Sequence, residues 1–259
     1  MSKTFTLTEQ KTILTAIMAG KNPAEFIAKI REAEFGGARA VAVDLFDLAP
    51  EFRNRAAFAE IINASVLPTM FIYYRNVQSY PDPGDEARQE ILLEAAAAGA
   101  AMIDVIGDLY DPSPDEITHN LEAIERQKAL IERIHQLGSQ VIISSHPSRA
   151  MSAEAVLAQL KSFAERNADV VKIVTTANTD AEFVEAIRTT MLLHRKMKTP
   201  FVHLCSGTYG RLHRMTGLSL GVAITFAVNH YDHYKYPQPA LSALKAVQEN
   251  THWHIASHA

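Results

Sequence analysis

Cysteine is nearly absent. Cys205 is the only one among 259 residues, so no disulfide can form within the chain, and a reducing compartment fits. Long apolar runs are absent too. The stretch Thr12 to Ala19 is far too short to cross a bilayer. Met1 to Lys11 is polar and lacks a signal-peptide core. These absences lead us to expect a cytoplasmic protein without a membrane partner. No sign of charge dominates: 25 basic against 29 acidic residues leave a net charge of −4. That balance gives no global field for nucleic acid or an anionic surface. A glycine-rich phosphate loop is missing after the first apolar segment, where Gly20-Lys21-Asn22-Pro23 stands instead. The sole tryptophan, Trp253, lies in a histidine-rich tail with His252, His254 and His258.

What is present is alternation. Apolar, strand-like runs occur at Thr12–Ala19, Ala38–Phe46, Thr69–Tyr74, Ala101–Ile106, Gln140–Ser144, Val170–Val174, Phe201–Cys205 and Gly221–Phe226. Helix-like stretches follow each, at Pro23–Glu34, Pro50–Ala64, Asp85–Ala98, Asp115–Leu137, Ala153–Arg166, Asp180–Lys196, Tyr209–Thr216 and Pro239–Glu249. Asn22-Pro23 and Ser113-Pro114-Asp115-Glu116 read as capped helix starts, with proline at the first helical position. Eight such units without a linker predict an α/β fold, a single (β/α)8 TIM barrel domain over residues 1–259. An open doubly wound sheet is the alternative, and the missing phosphate loop speaks against it.

In a barrel the chemistry sits at the C-terminal ends of the strands. The polar residues there are Asp44, Asp47, Arg75, Asp104, Asp108, His146, Lys172, Ser206, Arg214, His230 and His233. Lys172 stands out because it interrupts Val170-Val171-Lys172-Ile173-Val174. Burial disfavours an ammonium and lowers its pKa. A neutral amine is a nucleophile that forms a Schiff base with a carbonyl. One unit upstream, Val141-Ile142-Ile143-Ser144-Ser145-His146 ends an apolar strand in a histidine, a candidate general base. Arg75 and Arg214 are candidate clamps for an anionic substrate. Either residue also fits a plain surface ion pair, and Lys172 also fits a strand-end lysine held by a carboxylate.

These residues carry a resemblance. Ile142–His146, Ala168–Ile173, Phe71–Arg75 and Ser206-Gly207-Thr208-Tyr209-Gly210-Arg211-Leu212-His213-Arg214 resemble the type I 3-dehydroquinate dehydratases in order and spacing, over roughly Lys11 to Glu249. The resemblance implies a cofactor-free lyase, with neither metal nor organic group, acting on a cyclic keto acid, 3-dehydroquinate. Lys172 would form the imine and His146 would move the protons. Arg75, Arg214, Asp44, Asp104, Ser206 and Gln238 would grip the substrate, and a homodimer is expected. Three departures are visible. Ala40 and Ala42 occupy the Glu and Arg places of a strand-two Glu-x-Arg-x-Asp pattern ending at Asp44. Ile106 replaces the glutamate of Asp-x-Glu on strand four, with Asp108 nearby. Lys235-Tyr236-Pro237-Gln238-Pro239 replaces a closing loop. They raise the expectation of a changed keto-acid substrate. Two other classes remain open. One is a metal-dependent barrel using Asp44, Asp104, His146, His230 and His233. The other is a metabolite-binding barrel without turnover, which needs neither His146 nor Lys172.

Overall fold

Strands that must bury both faces read as continuous apolar runs, and the computed structural model places eight of them side by side. It describes residues 3–7, 12–75, 79–230, 238–251 and 253–255. The strands are β1 (Ile13–Ala19), β2 (Ala40–Asp44), β3 (Thr69–Ile72), β4 (Met102–Ile106), β5 (Gln140–Ser145), β6 (Val170–Thr176), β7 (Phe201–Ser206) and β8 (Ile224–Ala227). In the order β7-β6-β5-β4-β3-β2-β1-β8, strands β1 to β7 each pair with their neighbours in sequence and β8 pairs with β1, and each pairing is parallel. At the β7/β8 seam the Ala223 N–H donates to Phe201 O at 2.9 Å, while Ala223 O accepts from Ile13 N at 2.9 Å. The eight strands therefore form a nearly closed barrel, the (β/α)8 architecture expected.

The helices wrapping it are α1 (Pro23–Phe35), α2 (Arg55–Asn63), α3 (Gly84–Ala97), α4 (Leu121–Gln136), α5 (Ala153–Ala164), α6 (Asp180–Lys196), α7 (Gly210–Gly217) and α8 (Leu241–Asn250). Local chemistry sets their starts. Asn22 caps α1 by accepting from Glu25 N, and Thr179 with Glu182 closes a capping box on α6. Two expected helices are corrected. Pro50–Ala64 divides into a 3-10 turn, Pro50–Phe52, and α2, because Asn54 takes an extended backbone and caps Ala57 N. The stretch Asp115–Leu137 becomes helical only at Leu121, capped by Asn120. Ser113 is not a helix cap. Its hydroxyl accepts from Ile117 N at 3.0 Å and donates to Ile117 O at 2.9 Å, closing a turn within the β4–α4 loop.

Register fixes what points inward, since directly paired residues share a face. Ile106 pairs with Ser144, Ser144 with Lys172, and Lys172 with Val202. By the same rule Ala40, Ala42 and Asp44 form the inward face of β2, matched to Thr15, Ile17 and Ala19 of β1.

Candidate active site

The amine of Lys172 lies inside the barrel, its side chain only 6% exposed. The Nζ stands 3.5 Å from Asp104 Oδ2 and 5.2 Å from the ring centre of Phe226, whose π face favours a cation. A second carboxyl, Asp44, is close enough to feel both charges. Burial pushes it up to about 7, the nearby Asp104 adds to that, and Lys172 and the Phe46 N–H oppose it. Near neutral pH Asp44 is therefore partly the neutral acid. Three residues proposed from the sequence, Lys172, Asp104 and Asp44, thus meet in one interior.

His146 follows β5, with its ring edge-on to Tyr74 at 4.4 Å and 90°. Its orientation comes from Glu116. The His146 backbone N–H donates to Glu116 Oε2 at 2.6 Å, Tyr74 donates to the same oxygen at 2.8 Å, and His146 Nδ1 stands 3.4 Å away. Burial, helped by Lys172, holds the imidazole below its usual pKa, with Glu116 pulling the other way. A neutral imidazole with Nδ1 facing a carboxylate keeps its lone pair on Nε2, the arrangement of a general base. Burial raises the Glu116 carboxyl, but hydrogen bonds from His146 and Tyr74 outweigh it and keep the group ionised.

Glu116 was not among the residues singled out from the sequence, where it reads as a first-turn acid of a helix. It sits instead at φ +51° in the β4–α4 loop, a backbone conformation uncommon for residues other than glycine. The loop is tied down to hold it there. The buried Arg166 donates to Gly107 O, Gln127 Oε1 and Thr118 O at 2.6, 2.7 and 3.0 Å. Gln159 donates to Asp115 O at 2.9 Å.

The cationic residues part company. Arg75 is held bidentately by Asp85 at 3.1 and 2.8 Å and by Asp108 at 2.6 Å. Asp108 is thereby committed to Arg75 and leaves His146 to Glu116. Arg214 is buried, and its Nε donates to Cys205 O at 3.0 Å. Burial pulls it down to about 10, and among the described residues no carboxylate stands within ion-pair distance of it. Ser206 shares a 3.0 Å hydrogen bond with Thr176. Gln238 borders residues 231–237; His233 and Pro237 fall within that stretch and lie outside the described residues. His230 pairs with Glu32 on the surface. Ala40 and Ala42, where the resemblance puts Glu and Arg, are fully buried.

Among the described residues the grouping with metal-ligand proximity is none of the set named from the sequence. It is His203, Cys205 and His213, in the wall behind β7. Threonines already occupy its ring nitrogens: Thr190 Oγ1 lies 2.8 Å from His203 Nδ1 and 3.1 Å from His213 Nε2, and Thr175 Oγ1 lies 3.2 Å from His203 Nε2. Three of the four ring nitrogens are thus held by threonines, and among the described residues only His213 Nδ1 is without a hydrogen-bond partner.

Comparison with known proteins points to one family. The family model for type I 3-dehydroquinase matches residues 14–252. The 3-dehydroquinate dehydratase of Shouchella clausii (strain KSM-K16) is 25% identical over 239 residues, covering 88% of this chain and 87% of that protein. That of Alkaliphilus oremlandii (strain OhILAs) is 32% identical over 114 residues, 43% of this chain and 44% of that protein. Among solved structures, the type I 3-dehydroquinate dehydratase from Clostridium difficile, with covalently modified comenic acid, matches with a TM-score of 0.78 and 16% identity, over 94% of this chain and 93% of that chain. No helix among the described residues is long and apolar enough to cross a membrane.

Proposed function

The chain belongs to the type I 3-dehydroquinase family, and from that membership we propose that it is a carbon–oxygen lyase dehydrating 3-dehydroquinate to 3-dehydroshikimate through an imine on Lys172. The observation that carries this reading is the interior amine of Lys172, 3.5 Å from Asp104, with the Glu116-oriented His146 beside it.

The chemistry follows from those positions. The neutral amine adds to the substrate ketone, and the resulting carbinolamine loses water to give an iminium. His146 takes the proton from the adjacent carbon, and the C–H electron pair moves into the iminium, which becomes an enamine. The enamine then expels the hydroxyl one carbon further on. His146 returns its proton to that hydroxyl, which leaves as water. Hydrolysis of the product imine consumes one water and frees Lys172, so the net change is the loss of one water. The iminium is the electron sink for the proton abstraction, and the enamine nitrogen pushes that pair back out as the hydroxyl leaves. Arg214, a buried guanidinium without a carboxylate partner among the described residues, is the group we assign to the substrate carboxylate. Asp44, Ser206 and Gln238 are assigned to its hydroxyls. We keep a homodimer and a cytoplasmic location as part of the same reading.

A second reading, a related keto acid as the preferred substrate, has its own support. Ala40 and Ala42 leave the inward face of β2 without charge, and Arg75 is taken by Asp85 and Asp108. Borohydride trapping tests both. A reduced adduct of 3-dehydroquinate on Lys172, by intact mass and peptide mapping, is expected, and Lys172→Ala should abolish both adduct and turnover. Efficient turnover of 3-dehydroquinate removes the second reading. An adduct only with other cyclic keto acids establishes it, and no adduct with any of them removes the imine mechanism. Ligand affinity retained in Lys172→Ala, with a wild type that never turns over, would leave a binding protein.

A further inference from the structure

Two side-chain hydroxyls lie between the charged ends of this site, and imine formation does not obviously need either. Tyr74 Oη is 2.8 Å from Glu116 Oε2. Ser144 Oγ is 3.2 Å from Tyr74 Oη and hydrogen bonds to Asp104 Oδ1. Asp104 Oδ2 is 3.5 Å from Lys172 Nζ. The contacts form one unbroken path: Lys172, Asp104, Ser144, Tyr74, Glu116, His146. Ser144 and Asp104 are buried, so water does not short-circuit that half of the path.

A hydroxyl has one proton to give and two lone pairs to receive. At rest each hydroxyl gives its proton to the nearer carboxylate, Ser144 to Asp104 and Tyr74 to Glu116, because ionised acceptors make the stronger bonds. That leaves the 3.2 Å Ser144–Tyr74 contact without a proton between the oxygens. We propose that this pair is a relay that carries the proton shed by Lys172, through Asp104, to Glu116 beside His146. The proposal rests on the imine mechanism given above. Once Asp104 has taken a proton from the Lys172 ammonium, it becomes a donor to Ser144. Ser144 then turns its own proton to Tyr74, and Tyr74 passes its proton to Glu116. Only protons move, one per link. The amine ends neutral and free to attack the ketone, and the proton rests on Glu116. The reverse sequence recharges Lys172 after product release. Burial, with Glu116 adding to it, holds the Tyr74 phenol well above its ordinary pKa, so Tyr74 gives a proton only as it receives one.

Tyr74 also positions Glu116, so its loss alone does not separate relay from support. Ser144→Ala does, because it leaves the Tyr74–Glu116–His146 contacts in place and cuts only the link to Asp104. The experiment is rapid quench of the wild type, Ser144→Ala, Tyr74→Phe and the double variant with 3-dehydroquinate and borohydride, reading adduct on Lys172 against time, with circular dichroism confirming each fold. Near pH 7 each single variant should form the imine about a hundredfold more slowly, the lower end of what a placed proton transfer contributes. The double variant should be no slower than the slower single, as for residues acting in one unit. The deficit should shrink near pH 9, where solvent hydroxide competes more effectively for the ammonium proton. Wild-type rates in the singles, losses that multiply in the double, or a deficit independent of pH each overturn the relay. If Ser144→Ala does not fold, the pH dependence of Tyr74→Phe decides. A wild type without adduct removes the imine reading and the relay with it, whereas a wild-type adduct with unaffected variants removes the relay alone.

Discussion

Asp44 and Asp104 share one interior with a single ammonium, and that imbalance has a measurable sign. A carboxyl raised to about 7 by burial takes up its proton in the folded state well before it does so unfolded. It is therefore harmless to stability below about pH 4, costs progressively more as pH rises towards 7, and costs the full amount above that. Asp44→Asn keeps the shape and the acceptor for Phe46 N while removing the charge. The variant should gain about 1–3 kcal/mol over wild type near pH 9 and little near pH 5, by urea unfolding at both pH values. Equal effects at the two pH values would mean that Asp44 ionises normally. At this scale the sequence is unevenly legible. Lys172 and His146 were readable because a charged or basic residue in an apolar run has few explanations. Glu116 was not, because an acid after Ser-Pro-Asp is ordinary helix-start chemistry, and only the folded loop brings it to a strand end thirty residues on.

The β4–α4 loop carries the burden of placing Glu116, and Gly107 is where it turns back on the barrel. A Cβ there would stand 2.3 Å from Phe163 Cζ and 2.6 Å from Glu116 O, so neither neighbour can keep its place. Gly107→Ala should lose about 1–3 kcal/mol of stability, as overpacked sites do. It should also lower kcat with KM little changed, because the displaced residue orients the base and does not hold substrate. Thermal melts and steady-state kinetics check both, with Glu116→Ala as the reference. A Gly107→Ala enzyme with wild-type kcat would disconnect the loop from the chemistry. The same loop shows why the expected helix from Asp115 failed. Ser113 has the right side chain for a cap, but it spends its hydroxyl on Ile117 inside a turn, and Asn120 is then free to start α4. Strand positions were far more legible, since the barrel demands apolar residues on both faces of each strand. α6 matched its expected span Asp180–Lys196 because its capping box is written in adjacent residues.

Across the whole molecule, the wall behind β7 and the lumen respond to acid in opposite directions. His203 and His213 are buried and neutral. Burial holds His203 well below its ordinary value, with His213 adding to it, and brings His213 down to about 4. Unfolded histidines bind protons near pH 6.5 and these do not, so their contribution to stability is complete above that pH and is lost as pH falls from 6.5 towards 4. For His213 alone the loss by pH 5 is about 2 kcal/mol. His146, also lowered by burial, adds in the same direction. Asp44 opposes them, since protonating it as pH falls below 7 removes a buried charge. The unfolding free energy of the wild type should therefore fall less steeply from pH 7.5 to 5 than the histidines alone dictate, because Asp44 offsets part of their loss. In Asp44→Asn the opposing slope is gone and the acid loss of the histidines should emerge, by at least about 2 kcal/mol across that range in urea unfolding. Adding His213→Met to Asp44→Asn should remove about 2 kcal/mol of that loss and leave the part due to His203 and His146. If Asp44→Asn shows no acid loss over that range, the barrel-wall histidines already carry protons near neutrality, and the threonine network cannot be holding them neutral.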